Sequence, residues 1–156
     1  MKLGTNGFDI WVFHKQKTEP EYLLLHTSQE KADKWFNGGR FWQILGGPVQ
    51  EDEDIKEALL RPLQERGLEP KGIWAAEHTY IIYNLRRKRM EILPVFAAEV
   101  AAPAAIPLTW EHAEYGWYTA EECKKRIHFR GLHEGLHWTR VYVSEVDEPT
   151  QSLRVV

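Results

Sequence analysis

Residues 47–68, GPVQEDEDIKEALLRPLQERGL, decide how this chain is read. Gly47 is followed after five residues by Glu53, after seven more by Arg61, then by Leu63 and Glu65, and the stretch closes on Gly67-Leu68. Residues 54–65 carry a helical apolar period, with Ile55, Ala58, Leu59 and Leu63 on one side and Asp52 or Asp54 as the cap. On a regular helix Glu53, Glu57, Arg61 and Glu65 stand four residues apart, a Glu-Glu-Arg-Glu stripe. As a salt-bridge ladder, such a stripe contributes roughly 0.2 to 0.5 kcal/mol per pair. Pro62 removes one backbone hydrogen bond and crowds the preceding turn. The helix therefore kinks there, or a new one begins near Arg61.

Before this stretch, residues 8–14 (FDIWVFH) and 22–26 (YLLLH) read as strands of a hairpin, joined by a polar turn. Residues 27–40 (TSQEKADKWFNGGR) are polar and glycine-bearing and read as a loop, and residues 41–45 as a short strand leading into Gly46-Gly47. After it, residues 72–84 and 90–100 are apolar and aromatic and bracket the charged turn LRRKR, as paired strands do. Residues 101–107 form an alanine and proline linker. A short strand at 115–118, a helix at 120–126 and a terminal helix at 131–146 follow, and 148–156 reads as a loose tail. No internal repeat is visible, so one domain is expected over residues 1–147.

The spacing of residues 47–68 resembles the Nudix box, G-x5-E-x7-R-E-U-x-E-E-x-G-U with U aliphatic. Gly47, Glu53, Arg61, Leu63 and Glu65 fall in register with it. Pro62 and Arg66 stand where the pattern has glutamates, and Gly67-Leu68 arrives one residue early. If the missing residue lies before Glu65, this glutamate takes the place of the last box glutamate; if after, Glu65 is the first of the pair and Arg66 the last. WQILGG at 42–47 and WEHAEYGWYTAEEC at 110–123 are similar to segments of family members that hydrolyse dATP or dihydroneopterin triphosphate. The resemblance covers roughly residues 6–143.

The resemblance implies an α/β Nudix fold, a mixed sheet sandwiched between helices, and a metal-dependent pyrophosphohydrolase. Such enzymes gather carboxylates around Mg²⁺ or Mn²⁺ to neutralise phosphate oxygens and activate water. Here the helix keeps one of the three E-x-x-E-E carboxylates. The implied metal ligands are Glu65, Glu57 and Glu53, with Arg61 orienting a carboxylate. Glu111 or Glu114 matches the further metal-binding or basic glutamate of the family, and Glu114 is preferred. The phosphates of the substrate need cations beyond the metal. Arg40, nearest to Gly46-Gly47, is the first candidate, with Lys34 and the turn Arg86-Arg87-Lys88-Arg89 behind it. Trp42, Trp74 or Tyr80 could stack a base. The alternative is a Nudix-fold protein that binds a nucleotide or a partner without turnover.

Composition limits the partners. With 156 residues, 43% hydrophobic and 12% aromatic, the chain suits one globular domain. A formal net charge of -3 offers nucleic acid or an acidic membrane no overall attraction, so the expected ligand is a small phosphorylated molecule. Homodimerisation is left open. The first nine residues are too polar for a signal peptide and no apolar run reaches the ~20 residues of a membrane span, so a cytoplasmic protein is expected. The single cysteine, Cys123, suits a reducing compartment.

One motif points elsewhere. His133-Glu134-Gly135-Leu136-His137 matches H-E-x-x-H, which on a helix sets two imidazoles on one face for zinc. Val143 stands where the longer form has its third histidine, and only 19 residues follow His137. Glycine inside the motif weakens a helix by about 1 kcal/mol. A zinc hydrolase thus ranks behind both Nudix readings.

Overall fold

The structure, a computed structural model, describes residues 2–103 and 105–156. Its elements in chain order are β1 (Leu3–Gly4), β2 (Gly7–His14), β3 (Glu21–Thr27), α1 (Gln29–Trp35), β4 (Trp42–Gln43), β5 (Leu45–Pro48), α2 (Ile55–Gln64), β6 (Pro70–Asn84), β7 (Arg89–Val100), β8 (His112–Thr119), α3 (Ala120–Arg126) and α4 (Arg130–Thr139). A π-helical turn, Arg140–Ser144, extends α4.

Three strands with nearly unbroken apolar runs set the layering. Side chains alternate across a strand, so Phe8, Ile10 and Val12 of β2, Leu23 and Leu25 of β3, and Phe96 and Ala98 of β7 pack on one face. Trp11 and Phe13, Tyr22 and Leu24, and Val95 and Ala97 pack on the other. Helix α2 covers the first face with Ala58, Leu59 and Leu63. Helices α3 and α4 cover the second with Ala120, Cys123, Leu132 and Leu136. Strands buried on both faces have no polar side, which is why they read as runs rather than alternations. The result is the expected mixed sheet between helices.

The strand path is β1-β7-β2-β3-β4, with β5 on β2, β6 on β7 and β8 on β3. Strand β7 runs parallel to β2 from Asp9↔Val95 to Phe13↔Glu99. The pairing of β2 with β3 is confined to Phe13↔Tyr22 and His14↔Glu21. Beyond that point the two strands take different partners: β5 pairs with β2 from Gly7↔Pro48 to Ile10↔Leu45, and β8 pairs with β3. This divergence opens the sheet beside Gly46-Gly47.

Two sequence expectations are corrected. Residues 27–40 are not all loop, because Gln29–Trp35 is helical: the Ser28 side chain caps it by accepting from the Lys31 N–H at 3.0 Å. Only Lys31 and Ala32 of this helix are buried, so it carries almost no apolar period. Residues 148–156 do not hang loose. Gln151–Leu153 forms a 3-10 turn, and the Val155 N–H donates to the Ile73 carbonyl at 2.8 Å. Val155 and Val156 also pack against the α2-side core. Of the expected linker 101–107, Ala104 lies outside the described residues, as does Met1.

Candidate functional site

The box segment folds as a strand, a loop and a capped helix. Asp54, rather than Asp52, is the cap, its Oδ1 accepting from the Glu57 N–H at 2.9 Å. Helix α2 continues through a buried Pro62, so no new helix starts at Arg61. Gly67, at φ +68, ends the segment by the left-handed route that glycine favours. Its N–H reaches the Gln64 carbonyl at 3.1 Å and that of Leu68 the Leu63 carbonyl at 2.9 Å, a Schellman closure that returns Leu68 to the core. Gly46 is required by crowding: a Cβ there would lie 2.5 Å from the Phe8 carbonyl oxygen and 2.8 Å from Asp9 Oδ1.

The carboxylates of the stripe do not converge. Glu53 precedes the helix, where its carboxylate takes a close ion pair from the Arg61 guanidinium and the Gln50 N–H at 2.8 Å. Arg61 above all holds this carboxyl below its ordinary range. Arg61 also reaches the Pro48 carbonyl at 3.4 Å, tying α2 to β5. Glu57 is exposed, and Glu65 is 61% exposed with Arg66 Nη1 at 3.8 Å. Among the described residues, no three His, Cys, Asp or Glu side chains gather to hold a metal ion. The donors present do not fit a clustered-carboxylate metal centre.

Beside the box lies a cavity of about 450 Å³. Gly46, Gly47 and Tyr80 line it, as do Phe36, Phe41 and Phe129, an aromatic group in which Phe41 meets Phe36 at 5.0 Å and Phe129 at 5.1 Å, both edge to face. Lys31, Arg66, Arg86, Glu111 and His112 form a polar part of the same wall. Arg66 reaches it because the Schellman turn follows directly, and its Nη1 donates to the Pro62 carbonyl at 3.1 Å. Burial lowers the pKa of both Lys31 and Arg66, and Glu111 opposes that shift in each. His112 is pushed down to about 3 by burial first, then by Lys31 and Arg66, so its imidazole is neutral. Its Nε2 is buried without a hydrogen-bond partner.

Asp9 lines the cavity and accepts a close hydrogen bond from the Tyr80 hydroxyl. Burial pushes Asp9 up to about 6, the Tyr80 bond opposes this, and Glu91 adds to it. Burial and Asp9 together raise the Tyr80 phenol. Glu91 itself is held by Arg87 and Arg89, each at 3.1 Å. Arg86 and Arg87 of the basic turn thus face the cavity, whereas Lys34 lies over the Trp35 and Trp110 rings at 5.0 and 5.3 Å.

Arg40, Trp42 and Glu114 meet elsewhere, at His26. Arg40 Nη2 and Glu114 Oε1 lie 3.1 and 3.0 Å from His26 Nδ1, and the Trp42 ring stacks on the imidazole at 4.5 Å. The Arg40 Nε donates to the Thr27 carbonyl at 2.8 Å. None of the three lines the cavity; of the two candidate glutamates near β8, Glu111 does. Trp74 is a core residue, 6% exposed. Sequence reasoning passed over Asp9, Lys31 and Arg66. The available signals were a lone acid inside FDIWVFH and a basic residue at a box-glutamate position.

The H-E-x-x-H pair is a helix surface. His133 Nε2 is 2.9 Å from the Ile127 carbonyl oxygen, His137 is exposed, and Glu134 pairs with Arg130 at 3.5 Å. Gly135 is there for packing, since a Cβ would stand 3.0 Å from the Trp11 indole nitrogen. Cys123 is buried, and that burial pushes its thiol up to about 12, which removes it as a nucleophile. No helix among the described residues is long and apolar enough to cross a membrane.

Comparison with known proteins agrees with this architecture. The NUDIX domain family model matches residues 5–139, and the chain belongs to the Nudix family. Three solved structures share the fold. The Ap4A hydrolase of C. elegans is 17% identical, with 92% of this chain and 99% of that one covered and a TM-score of 0.70. The dihydroneopterin triphosphate pyrophosphohydrolase of E. coli is 18% identical, with 93% and 100% covered and a TM-score of 0.64. The NUDIX domain of Shewanella oneidensis NrtR, solved with ADP ribose, is 17% identical, with 90% and 88% covered and a TM-score of 0.67. Among curated proteins, no sequence matches the chain significantly.

Proposed function

We propose that this Nudix protein is a slow pyrophosphohydrolase of a nucleotide-like small molecule, a nucleoside or pterin triphosphate or a diphosphate-linked compound, bound in the cavity beside the box. The observation that carries this reading is the cavity, which offers the Phe36, Phe41 and Phe129 rings to a flat heterocycle and Lys31, Arg66 and Arg86 to phosphate. A small phosphorylated partner in the cytoplasm suits this shape and the chain's net charge of -3 better than nucleic acid or membrane does.

Hydrolysis needs water to add to one phosphorus while the bridging P–O bond breaks. Family chemistry supplies Mg²⁺ or Mn²⁺ for this, and the dispersed carboxylates, which do not by themselves build its site, are the ground for proposing slow turnover. Glu65, Glu57 and Glu114 do not line the cavity, so the role in water activation proposed for them rests on the family pattern and on a substrate whose phosphates extend beyond the cavity, and Glu53 with Arg61 acts as a tie between loop and helix. The same dispersal favours a second reading, a binding protein without turnover. Phosphate and pyrophosphate release from a nucleotide panel, measured with Mg²⁺ or Mn²⁺ and alongside direct binding, separates the two. Release that disappears in Glu65→Gln supports the enzyme. Binding without release, unchanged by chelator, supports the second reading, and absence of both overturns the cavity assignment.

A further inference from the structure

The cationic end of the cavity has a composition that a clustered-carboxylate site would not tolerate. Arg66, which stands at a box-glutamate position when the pattern is counted from Gly47, turns into the cavity, only 16% exposed along its side chain. Lys31 comes from α1 and is 8% exposed along its side chain, its Nζ donating to Gln43 Oε1 at 3.3 Å. Arg86 comes from the β6–β7 turn, its guanidinium held 3.9 Å from the Trp35 ring. Three unconnected segments thus send cations to one wall, where Lys31 and Arg66 are largely buried and Arg86 is 51% exposed, and burying cations is costly unless an anion compensates.

For Lys31 and Arg86 the nearest anion among the described residues is a single glutamate oxygen, whereas Arg66 has Glu65 Oε2 3.8 Å from its Nη1. Glu111 Oε1 lies 3.7 Å from Lys31 Nζ and 3.9 Å from Arg86 Nη1, both too long for good hydrogen bonds. It sits between the two cations without filling either's hydrogen-bonding capacity. His112, the next residue, lines the same wall with its Nε2 buried and unpartnered, an uncommon state for a buried polar atom. Held neutral, the imidazole can present Nε2–H to an oxyanion without adding charge.

We propose that Lys31, Arg66, Arg86 and His112 form a metal-independent site for a phosphate group, and that Glu111 occupies this site as an internal anion until phosphate displaces it. The inference rests on the cavity being the ligand site and adds that protein cations neutralise the phosphate in place of a metal cluster. Displacement frees Glu111 to swing outward, while a phosphate, with more oxygens and more charge, satisfies Lys31, Arg66 and the His112 N–H together. Affinity is then set by competition between a tethered carboxylate and a free anion.

The test is titration calorimetry of the whole protein with inorganic pyrophosphate in the presence of EDTA, which needs neither turnover nor a known nucleoside. Wild type is expected to bind without metal. Arg66→Gln and Lys31→Met are expected to weaken binding roughly tenfold or more, as loss of a charged hydrogen bond does. Glu111→Gln is expected to tighten it severalfold, since the competing charge is gone. A purely structural role for the cluster would weaken binding in all three variants. Lys124→Ala, on the exposed face of α3, controls for general charge loss. Pyrophosphate binding that appears only with added Mg²⁺, or that weakens in Glu111→Gln, overturns the proposal. Nucleotide turnover can fail while EDTA-resistant pyrophosphate binding persists, so this inference and the hydrolase reading fail separately.

Discussion

The two halves of the box segment have diverged in different ways. From Gly46 to Arg61 the geometry is fully built: a glycine pressed against β2, a capped helix, and Arg61 bridging Glu53 to the Pro48 carbonyl. From Pro62 to Leu68 the backbone still closes correctly, through Gly67 and the Leu63 anchor, but the charges are reversed, with Arg66 inward and Glu65 outward. Glycines, caps and apolar anchors are held in place by the fold, which needs them whatever the chemistry. Charged positions are free to change once the chemistry does. A motif can therefore identify the architecture while its departures mark where the proposed ligand site differs from the pattern.

That contrast can be broken at several points. The largest loss is expected from Leu63→Ala, which empties a fully buried position under α2: about 2 to 5 kcal/mol in denaturant unfolding, with the segment's second half detached first. On the cavity wall, Asp9→Asn keeps an acceptor for the Tyr80 hydroxyl and removes a buried charge. Because the folded pKa of Asp9 is raised from 3.8 to about 6, its neutral form stabilises the fold fully below pH 3.8, and this contribution is lost as pH rises through about 6. The variant is thus expected to gain on wild type between those values, levelling off above pH 6 at about 3 kcal/mol, read from unfolding at a series of pH values.

In the first half, Gly46→Ala forces β5 away from the Phe8 carbonyl and is expected to cost about 1 to 3 kcal/mol, with pyrophosphate binding reduced because the cavity wall moves. The smallest effect belongs to the cap: Asp54→Ala is expected to lower stability by about 1 kcal/mol and leave pyrophosphate binding unchanged. If Asp54→Ala instead abolishes binding, the separation between a structural first half and a ligand-facing second half is wrong.

Much of this was legible in the chain. The strands show as runs because both faces of the central sheet are covered, and α2 shows through its cap and the period of Ala58, Leu59 and Leu63. Helix α1 was hidden because it buries only Lys31 and Ala32, so apolar spacing carries no trace of it. The end of the chain was hidden for a different reason: two valines in a polar context look solvated unless Ile73 is known to be waiting. The cationic wall was hardest, since Lys31, Arg66, Arg86 and Glu111 are brought together only by tertiary packing. At Arg66 a spacing motif registers the loss of a glutamate and not the arrival of a cation.

The docking of Val155 and Val156 on Ile73 has a consequence for how the molecule meets copies of itself. Strand β6 is long, and an open strand edge is a template on which another chain can grow. The last residues cover its base, and Arg86, Arg87, Lys88 and Arg89 at the hairpin tip repel a like-charged neighbour. The exposed apolar side chains Ile81 and Tyr83 lie between these two protected ends. Releasing the final two residues would free the Ile73 backbone and lengthen the open edge on which another strand can pair.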